Sequence, residues 1–393
     1  MKWHLLLEPV DVWLFRDGRP FVAGEAHRAR SIFPPTPYTL QGAIRAKVLF
    51  DASVDLMEYA HQSSEAAREL ARRIGAPGRG YGQLRITGPI LARSTNGQIT
   101  LYYPVPADMV KIPAENDGET TDTVKITATT LQPLGKDFMM EDFSDIRAPA
   151  LQFLWAPRFH IESVGGWIAA SDFEKYLANS GKDFQVTIYR NSFFFQTERR
   201  VGIQINPDRL TTEEGRIYHA DFLRFTPGTS LVVQIAGIEP FAPRTGYLQL
   251  GGEARAAYYT VEQQPLSGWF LNRSVLNNAT FSGRFKMIFL TPAYFRHGWH
   301  PEDWSTFFQN ASVRCVGAAI PGTQMIGGAV VDDRRRSRNF ERTAYRFLPA
   351  GSVLFFEADQ PISYNGQPIT ETPEDSDGDL QHIGFGSVVI APY

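Results

Sequence analysis

The sequence contains two stretches in which the same local features follow one another in the same order. LLLEPVDVWLFRDG starts at residue 5 and IFLTPAYFRHG at residue 288, and each has an apolar run, a proline, an aromatic–arginine pair and a glycine. Farther along, LVVQIAG (231–237) and VLFFEAD (353–359) both lead to a Leu-Gln pair, a glycine corner and another apolar run. A recurring order is typical of one supersecondary unit that occurs twice. We therefore predict two similar structural units.

The first unit contains a clear helix signal. Thr36 is followed by Pro37, the combination expected of a helix cap and a first helical position. Apolar residues then recur with the spacing of a single helix face, at Leu40, Ile44 and Val48. This pattern predicts a helix from about residue 38 to residue 51.

The second unit begins with a strand signal. Phe285, Met287 and Phe289 alternate with other residues, which predicts a half-buried strand. The segment 300–309, with Pro301 and two acidic residues in its first turn, predicts a helix.

These signals favour an α+β fold class with two tandem ferredoxin-like (RRM-like, βαββαβ) domains that carry loop or hairpin insertions. We place the N-terminal domain at residues 1–275 and the C-terminal domain, which ends in a glycine-rich loop, at residues 276–393. Residues around 104–150 are rich in Pro, Asp, Glu and Thr, and are interpreted as an insertion in the first domain.

Composition narrows the class of protein. Of 393 residues, 43% are hydrophobic and 13% aromatic, which indicates a globular chain. Cys315 is the single cysteine, so no internal disulfide is possible, and we expect a small buried side chain in a reducing compartment. The N-terminal run is too short and too polar for a signal peptide or a membrane span. We therefore expect a cytoplasmic protein with no membrane partner.

The charge is nearly balanced, at −3 overall, but it is divided into blocks. Residues 16–47 hold six basic and two acidic residues, and residues 314–346 hold seven arginines and three acidic residues. Residues 357–379 hold seven acidic residues and no basic ones. This separation favours one surface for a polyanion and other surfaces for solvent or a protein partner.

Signals for catalysis are weak. The sequence has no HExxH helix, no CxxC pair and no P-loop. Asp332 and Asp333 precede a run of arginines, which favours charge pairing over a metal site. We expect no catalytic residue, no metal and no cofactor. A metal-independent ribonuclease could still use His4, His27 or Tyr38 as a general base.

Signals for RNA binding are stronger. Lysines and arginines hold phosphates, aromatic rings stack on bases, and glycine corners let backbone amides approach a sugar-phosphate chain. WLFRDGRPF (13–21), LGGEAR (250–255) and IGFGS (383–387) combine these features. The predicted RNA-binding residues are Arg16, Arg19, Arg45, Gly251, Gly252, Arg255, Gly384, Phe385 and Gly386. The first corner, with Arg255 beside it, is favoured over the last as an RNA contact.

Four segments together resemble a known family: EPVDVWLFRDGRPF, SIFPPTPYTLQGAIRAKVL, RRVGIQINPDRLTTEEGRIYHADFLRF and LGGEAR. The chain is similar to the third subunit of the Cmr (type III-B CRISPR) effector complex, in the RAMP superfamily. The resemblance implies a non-catalytic subunit that serves antiviral defence. It would hold the 5′ tag of the CRISPR RNA, dock onto the large polymerase/cyclase-like subunit and adjoin the RAMP backbone subunits.

Two alternatives remain at this point. One is a RAMP-type, metal-independent endoribonuclease that processes precursor CRISPR RNA. The other is a structural adaptor that contacts only proteins. Retention of tagged guide RNA without cleavage favours the binding subunit over both.

Overall fold

The structure is a computed structural model that describes residues 2–16, 28–113, 118–134, 151–158, 160–205, 212–274, 280–308, 312–329 and 341–393. The predicted RNA-binding residue Arg19, the candidate base His27, the arginines at 334–338 and residues 135–150 of the predicted insertion lie outside these ranges.

The first part of the chain forms the following elements: β1 (Lys2–Pro9), β2 (Arg28–Ala29), α1 (Pro37–Asp51), α2 (Leu56–His61), α3 (Glu65–Ile74), β3 (Arg85–Thr95), β4 (Gln98–Pro104), β5 (Met109–Ile112), β6 (Gly118–Glu119), β7 (Thr123–Thr130), β8 (Gln132–Pro133), β9 (Leu154–Trp155), β10 (Glu162–Ser163), β11 (Trp167–Ala169), α4 (Ala170–Ala178), β12 (Phe184–Tyr189), β13 (Phe195–Ile205), β14 (Thr212–Phe225), β15 (Thr229–Ala236), β16 (Thr245–Gln249) and β17 (Ala256–Glu262). The predicted helix at 38–51 is confirmed, and Thr36 and Pro37 occupy the expected cap and first positions.

The remainder of the chain forms β18 (Arg273–Ser274), β19 (Thr280–Phe289), β20 (Ala293–Tyr294), β21 (Val313–Ala319), β22 (Gln324–Ala329), β23 (Glu341–Leu348), β24 (Val353–Ser363) and β25 (Val388–Pro392). The predicted boundary at residue 275 falls between β18 and β19. Because β18 already pairs with β25, the first strand pairing of the second sheet starts just before that residue. The division into two domains stays a prediction.

Two large sheets organise the described ranges, and their strand pairs are mostly antiparallel. The larger one has 12 strands, and its main path runs β10-β5-β7-β12-β11-β4-β3-β15-β1-β17-β16. The second runs β18-β25-β19-β24-β21. The described part of the predicted insertion supplies β5 and β7 to the far end of the larger sheet. The predicted α+β class is confirmed.

The alternation of side chains along β1 directs successive residues into two different cores. Leu5 and Leu7 pack with Leu40 and Ile44 of α1, whereas Leu6 packs against a second core on the other face of the sheet. Successive side chains of a strand point to opposite faces, so a strand covered on both faces is apolar throughout. Helix α1 therefore covers one face of the larger sheet.

The second core lies between the two sheets. It joins Ile90 and Val232 of the larger sheet to Ile288, Phe355 and Val389 of the second. The opposite face of the second sheet forms a third core, which includes Phe285, Met287 and Phe289. The sheets are therefore stacked, and the two halves of the sequence share one continuous interior.

The predicted helix at 300–309 is wrong in its extent. Within residues 300–308, the part of the segment that the structure describes, the helical element is a 3-10 turn from Trp304 to Phe307, and the side chain of Asp303 accepts a hydrogen bond from the amide of Ser305. Trp304 is buried, and its ring lies 5.0 Å from that of Phe356. Burial of Trp304 on the third core fixes this segment as a short turn against the sheet.

Candidate nucleic-acid groove

A groove of about 660 Å³ brings together segments that are far apart in the sequence. Its walls come from Leu14–Arg16, from one face of α1, from the Gln249–Gly252 corner and from Met325–Gly327. Four of the predicted RNA-binding residues line it: Arg16, Arg45, Gly251 and Gly252. Since three separate sequence signals meet in one concave surface, this groove is the candidate functional site.

The outer face of α1 forms one side of the groove. Leu40, Ile44 and Val48 face the core, so the opposite face presents Tyr38, Gly42 and Arg45. Arg45 is only loosely held. Its Nη1 donates to Oε1 of Gln41 at 3.5 Å, and its guanidinium lies 5.7 Å from the centroid of the Tyr81 ring. A loosely held guanidinium on a groove wall is well suited to bind a phosphate.

The corner at residues 249–252 forms the facing wall. The amide of Gly252 donates to the carbonyl oxygen of Leu14 at 2.7 Å, which fixes the corner against the strand that leads to Arg16. Gly251 has a φ of +93°, a conformation that L side chains rarely adopt. A Cβ at Gly251 would lie 3.0 Å from the Leu14 oxygen. Glycine is therefore required at this position by the fold itself, and it also leaves backbone exposed to the groove.

The second predicted corner, at Gly384–Gly386, is buried. A Cβ at Gly384 would lie 2.3 Å from the Gly88 carbonyl oxygen, and one at Gly386 would lie 2.4 Å from the Ile369 oxygen. Phe385 is fully buried, and its ring packs 4.9 Å from the ring of Tyr38. This corner therefore supports the groove from behind through Tyr38. The burial of this corner favours a structural role, and its contact with RNA stays a prediction.

Arg255 does not line the groove. Its guanidinium lies over the ring of Phe222, 4.8 Å from the centroid, and pairs with Glu253 at 3.4 Å and with Asp11 at 3.9 Å. Hydrogen bonds from Arg200 and then Arg224 lower the pKa of Asp11 below its usual value. Arg255 thus belongs to a charged cluster on the neighbouring hairpin of β13 and β14. Its role in RNA binding stays a prediction.

Several groove residues were missed from the sequence. Met325 and Gly327 come from β22, and Asp377 comes from the acidic stretch that we expected to face away from RNA. Gly42 carried a usable signal, because a glycine inside a helical pattern usually has a packing or functional reason. Whether β22 and Asp377 reach the groove depends on how the second half of the chain packs against the first. No local sequence pattern indicates that packing.

The two candidate general bases within the described residues differ in their position relative to the groove. His4 is 3% exposed, its Nε2 is 3.1 Å from the Nε2 of Gln234, and burial lowers its pKa below the usual value. Tyr38 lines the groove.

Cys315 is buried, as expected, and burial raises its pKa to about 12. The described ranges contain no group of three or more His, Cys, Asp or Glu side chains arranged to hold a metal. They also contain no helix that is long and apolar enough to cross a membrane.

Comparison with known proteins identifies the chain in two steps. The family model that matches residues 5–392 describes CRISPR-associated proteins. Within that class the chain belongs to the Cas_Cmr3 family, which confirms the resemblance to the third subunit of the type III-B Cmr effector complex. No curated protein matches the sequence.

Chains in solved structures are similar to this one at low identity. Two structures of the type III-B Cmr-beta complex bound to cognate target RNA, one of them also with AMPPnP, contain a chain that is 14% identical. The match covers 90% of this chain and 86% of that chain, with a TM-score of 0.42. A structure of apo Cmr-beta gives 12% identity, 66% and 96% coverage, and a TM-score of 0.28. Such TM-scores do not establish a common fold, so membership rests on the sequence match.

Proposed function

We propose that this protein is the non-catalytic RNA-binding subunit of a type III-B Cmr complex that holds the 5′ tag of the CRISPR RNA. It docks the large polymerase/cyclase-like subunit, adjoins the RAMP backbone subunits and acts in antiviral defence in the cytoplasm. The observation that carries the proposal is the convergence of Arg16, Arg45 and the Gly251–Gly252 corner on one groove. Cationic side chains bind phosphates, and glycines, which carry no side chain, let a single-stranded sugar-phosphate chain approach the groove wall closely.

The proposal includes two tandem ferredoxin-like units. Numbering the four main strands of each unit in chain order, the larger sheet contains the neighbours β17-β1-β15-β3 and the second sheet contains β25-β19-β24-β21. Both read 4-1-3-2, and every neighbouring pair is antiparallel. This order supports two interleaved βαβ units. In the described residues both units depart from the full pattern: in the first, β16 stands where a second helix would follow β15, and in the second the corresponding connections contain 3-10 turns instead of α-helices.

The strand order also supports the correspondence of the two glycine corners. β15 and β24 occupy the third position of their units, and β17 and β25 occupy the fourth. The Gly251–Gly252 corner precedes β17, and the Gly384–Gly386 corner precedes β25. These equivalent positions in the two sheets support the repeat that the sequence predicts.

A non-catalytic role is supported by the position of His4. A general base must reach the proton that it abstracts, within about 3 Å or through one water. The ring of His4 lies in the interior and does not line the groove. Of the two candidate bases within the described residues, only Tyr38 lines the groove, so an endoribonuclease would depend on the Tyr38 hydroxyl or on His27, which lies outside those residues.

The test mixes the full chain, alone and with the large subunit, with tagged guide RNA in the presence of EDTA. Retention of intact RNA together with the large subunit supports the proposal. Metal-independent cleavage that is lost in the Tyr38→Phe variant would favour the endoribonuclease instead. Binding of the large subunit with no dependence on RNA, and no retention of RNA, would favour the adaptor.

Arg45→Ala is expected to lower the affinity for tagged guide RNA about tenfold, which is ~1.4 kcal/mol. If Arg45 contacts one phosphate, the slope of log affinity against log salt should also become shallower by roughly 0.7. Fluorescence anisotropy over a salt series measures both. Arg72→Ala is the matched control, because Arg72 is an exposed helical arginine paired with Glu69 and does not line the groove. An equal loss in both variants would refute a local contact.

Asp377→Asn should have the opposite effect. Asp377 lines the same groove as Arg45 and brings a negative charge close to any bound phosphate. Removing that charge is expected to tighten RNA binding about two- to fivefold, the range typical of a solvent-exposed charge pair of up to about 1 kcal/mol. The gain should disappear at high salt because screening removes the repulsion. Unchanged affinity at low salt would show that RNA does not approach this wall.

A further inference from the structure

Gly42 lies within α1, a helix of 15 residues, and faces the groove. Glycine is among the least favourable residues inside a helix, because it loses the most backbone freedom on folding. A glycine at such a position is normally explained by a close neighbour. Apart from its chain neighbours and the backbone of its own helix, however, a Cβ built on Gly42 meets no atom of the described residues within 4 Å. Packing within the described chain therefore gives no reason for glycine at this position.

The surroundings of Gly42 suggest what that reason is. Tyr38 lies one turn earlier on the helix and Arg45 lies one turn later, and all three line the groove. Across the groove, Gly251 and Gly252 also expose backbone. The helix surface at Gly42 is thus the point where a chain lying in the groove could come nearest to α1. The same arrangement leaves the loosely held guanidinium of Arg45 beside that point.

We propose that a single-stranded RNA segment lies directly against α1 at Gly42, with a phosphate bound by Arg45. This inference rests on the proposed function and names the helix position at which the RNA chain is in van der Waals contact. A methyl group at residue 42 would occupy the space of the ligand. A larger side chain would prevent the RNA from reaching Arg45.

The proposal predicts opposite changes in stability and in binding. Gly42→Ala and Gly42→Leu both introduce good helix formers, so each should raise the thermal midpoint of the RNA-free chain by roughly 1–2 °C. Affinity should fall about tenfold for Gly42→Ala, and binding should be lost for Gly42→Leu. The probe is a CRISPR RNA with the repeat-derived 5′ tag of the protein's own locus, carrying fluorescein at its 3′ end. Anisotropy gives the affinity, and differential scanning calorimetry gives the midpoint.

Gly165→Ala is the matched control. Gly165 is exposed, its Cβ would also meet nothing within 4 Å among the described residues, and it does not line the groove. This variant should bind the RNA as the unmodified chain does. Equal affinity of Gly42→Ala and the unmodified chain would overturn the inference and leave the proposed function intact. A lower midpoint for the RNA-free Gly42 variants would also overturn it, because the chain itself would then fill the space. Failure of the unmodified chain to bind would instead reject the proposed function.

Discussion

Lys286→Met is expected to lower the free energy of unfolding by about 3–5 kcal/mol, the cost of removing one partner of a buried ion pair. The Nζ of Lys286 lies 2.7 Å from Oδ2 of Asp108, and both side chains are fully buried. The hydroxyl of Tyr176 donates to Oδ1 of Asp108 at 2.7 Å. The loss of hydration lowers the pKa of Lys286, and Asp108 opposes that change. Removing the lysine leaves the carboxylate without its cation in a dry interior.

The effect should extend to both halves of the chain. Lys286 lies on β19 of the second sheet, whereas Asp108 precedes β5 and Tyr176 belongs to α4. The pair therefore joins the extension of the larger sheet to the second sheet through the core that they share. Asp108→Asn should be destabilising for the same reason, since the ammonium loses its counter-charge.

Urea unfolding followed by tryptophan fluorescence measures the change. Arg284→Met is the matched control, because Arg284 lies two residues away on the same strand and its exposed side chain pairs with the half-buried Glu357 at 3.6 Å. The cost of that substitution should stay below about 1 kcal/mol. The triple variant Lys286→Met, Asp108→Leu and Tyr176→Phe should recover much of the lost stability, since no polar group is then left unpaired. Equal small losses in Lys286→Met and Arg284→Met would contradict this account of the pair.

Lys286 also shows where prediction from sequence ends. The alternation of Phe285, Met287 and Phe289 predicts their side of β19 correctly, but it indicates a half-buried strand with a solvated opposite face. That part is wrong, because Lys286 and Ile288 are both fully buried. The opposite face is covered by the first half of the chain. A local pattern reports the period of a strand, but the layer that covers it comes from residues far away in the sequence.

The same limit applies to the groove, where only the features that depend on local sequence were predictable. Helix α1 and its cap were predictable because the apolar period and the Thr-Pro start are local. The side chain of Arg255, in contrast, lies on the hairpin of β13 and β14. Its position follows two residues with positive φ, Glu253 (55°) and Ala254 (51°), which turn the chain before it. Such conformations are rare for residues other than glycine. Sequence proximity to a glycine corner was therefore a poor guide to the direction of this arginine.

The two glycine corners are expected to respond differently to the same substitution. Gly384→Ala should lower the free energy of unfolding by about 3 kcal/mol, since its Cβ would lie 2.3 Å from the backbone oxygen of Gly88. Its φ of +108° adds strain for any residue with a side chain. Neither the Gly88 carbonyl nor the buried corner can move aside as a flexible side chain would.

Gly252→Ala should change stability by less than about 0.5 kcal/mol, because its Cβ would make only ordinary contacts, at 3.5 Å, with Leu14. The affinity of the Gly252→Ala variant for tagged guide RNA should nevertheless fall about tenfold, because residue 252 lines the groove. Urea unfolding and anisotropy on the two variants separate the roles. A stability loss as large as that of Gly384→Ala would make both corners structural. Unchanged affinity in Gly252→Ala would place the RNA elsewhere. Both corners precede the fourth strand of their units, so they occupy equivalent positions. The comparison of the two variants tests whether the first corner contacts RNA while the second supports Tyr38.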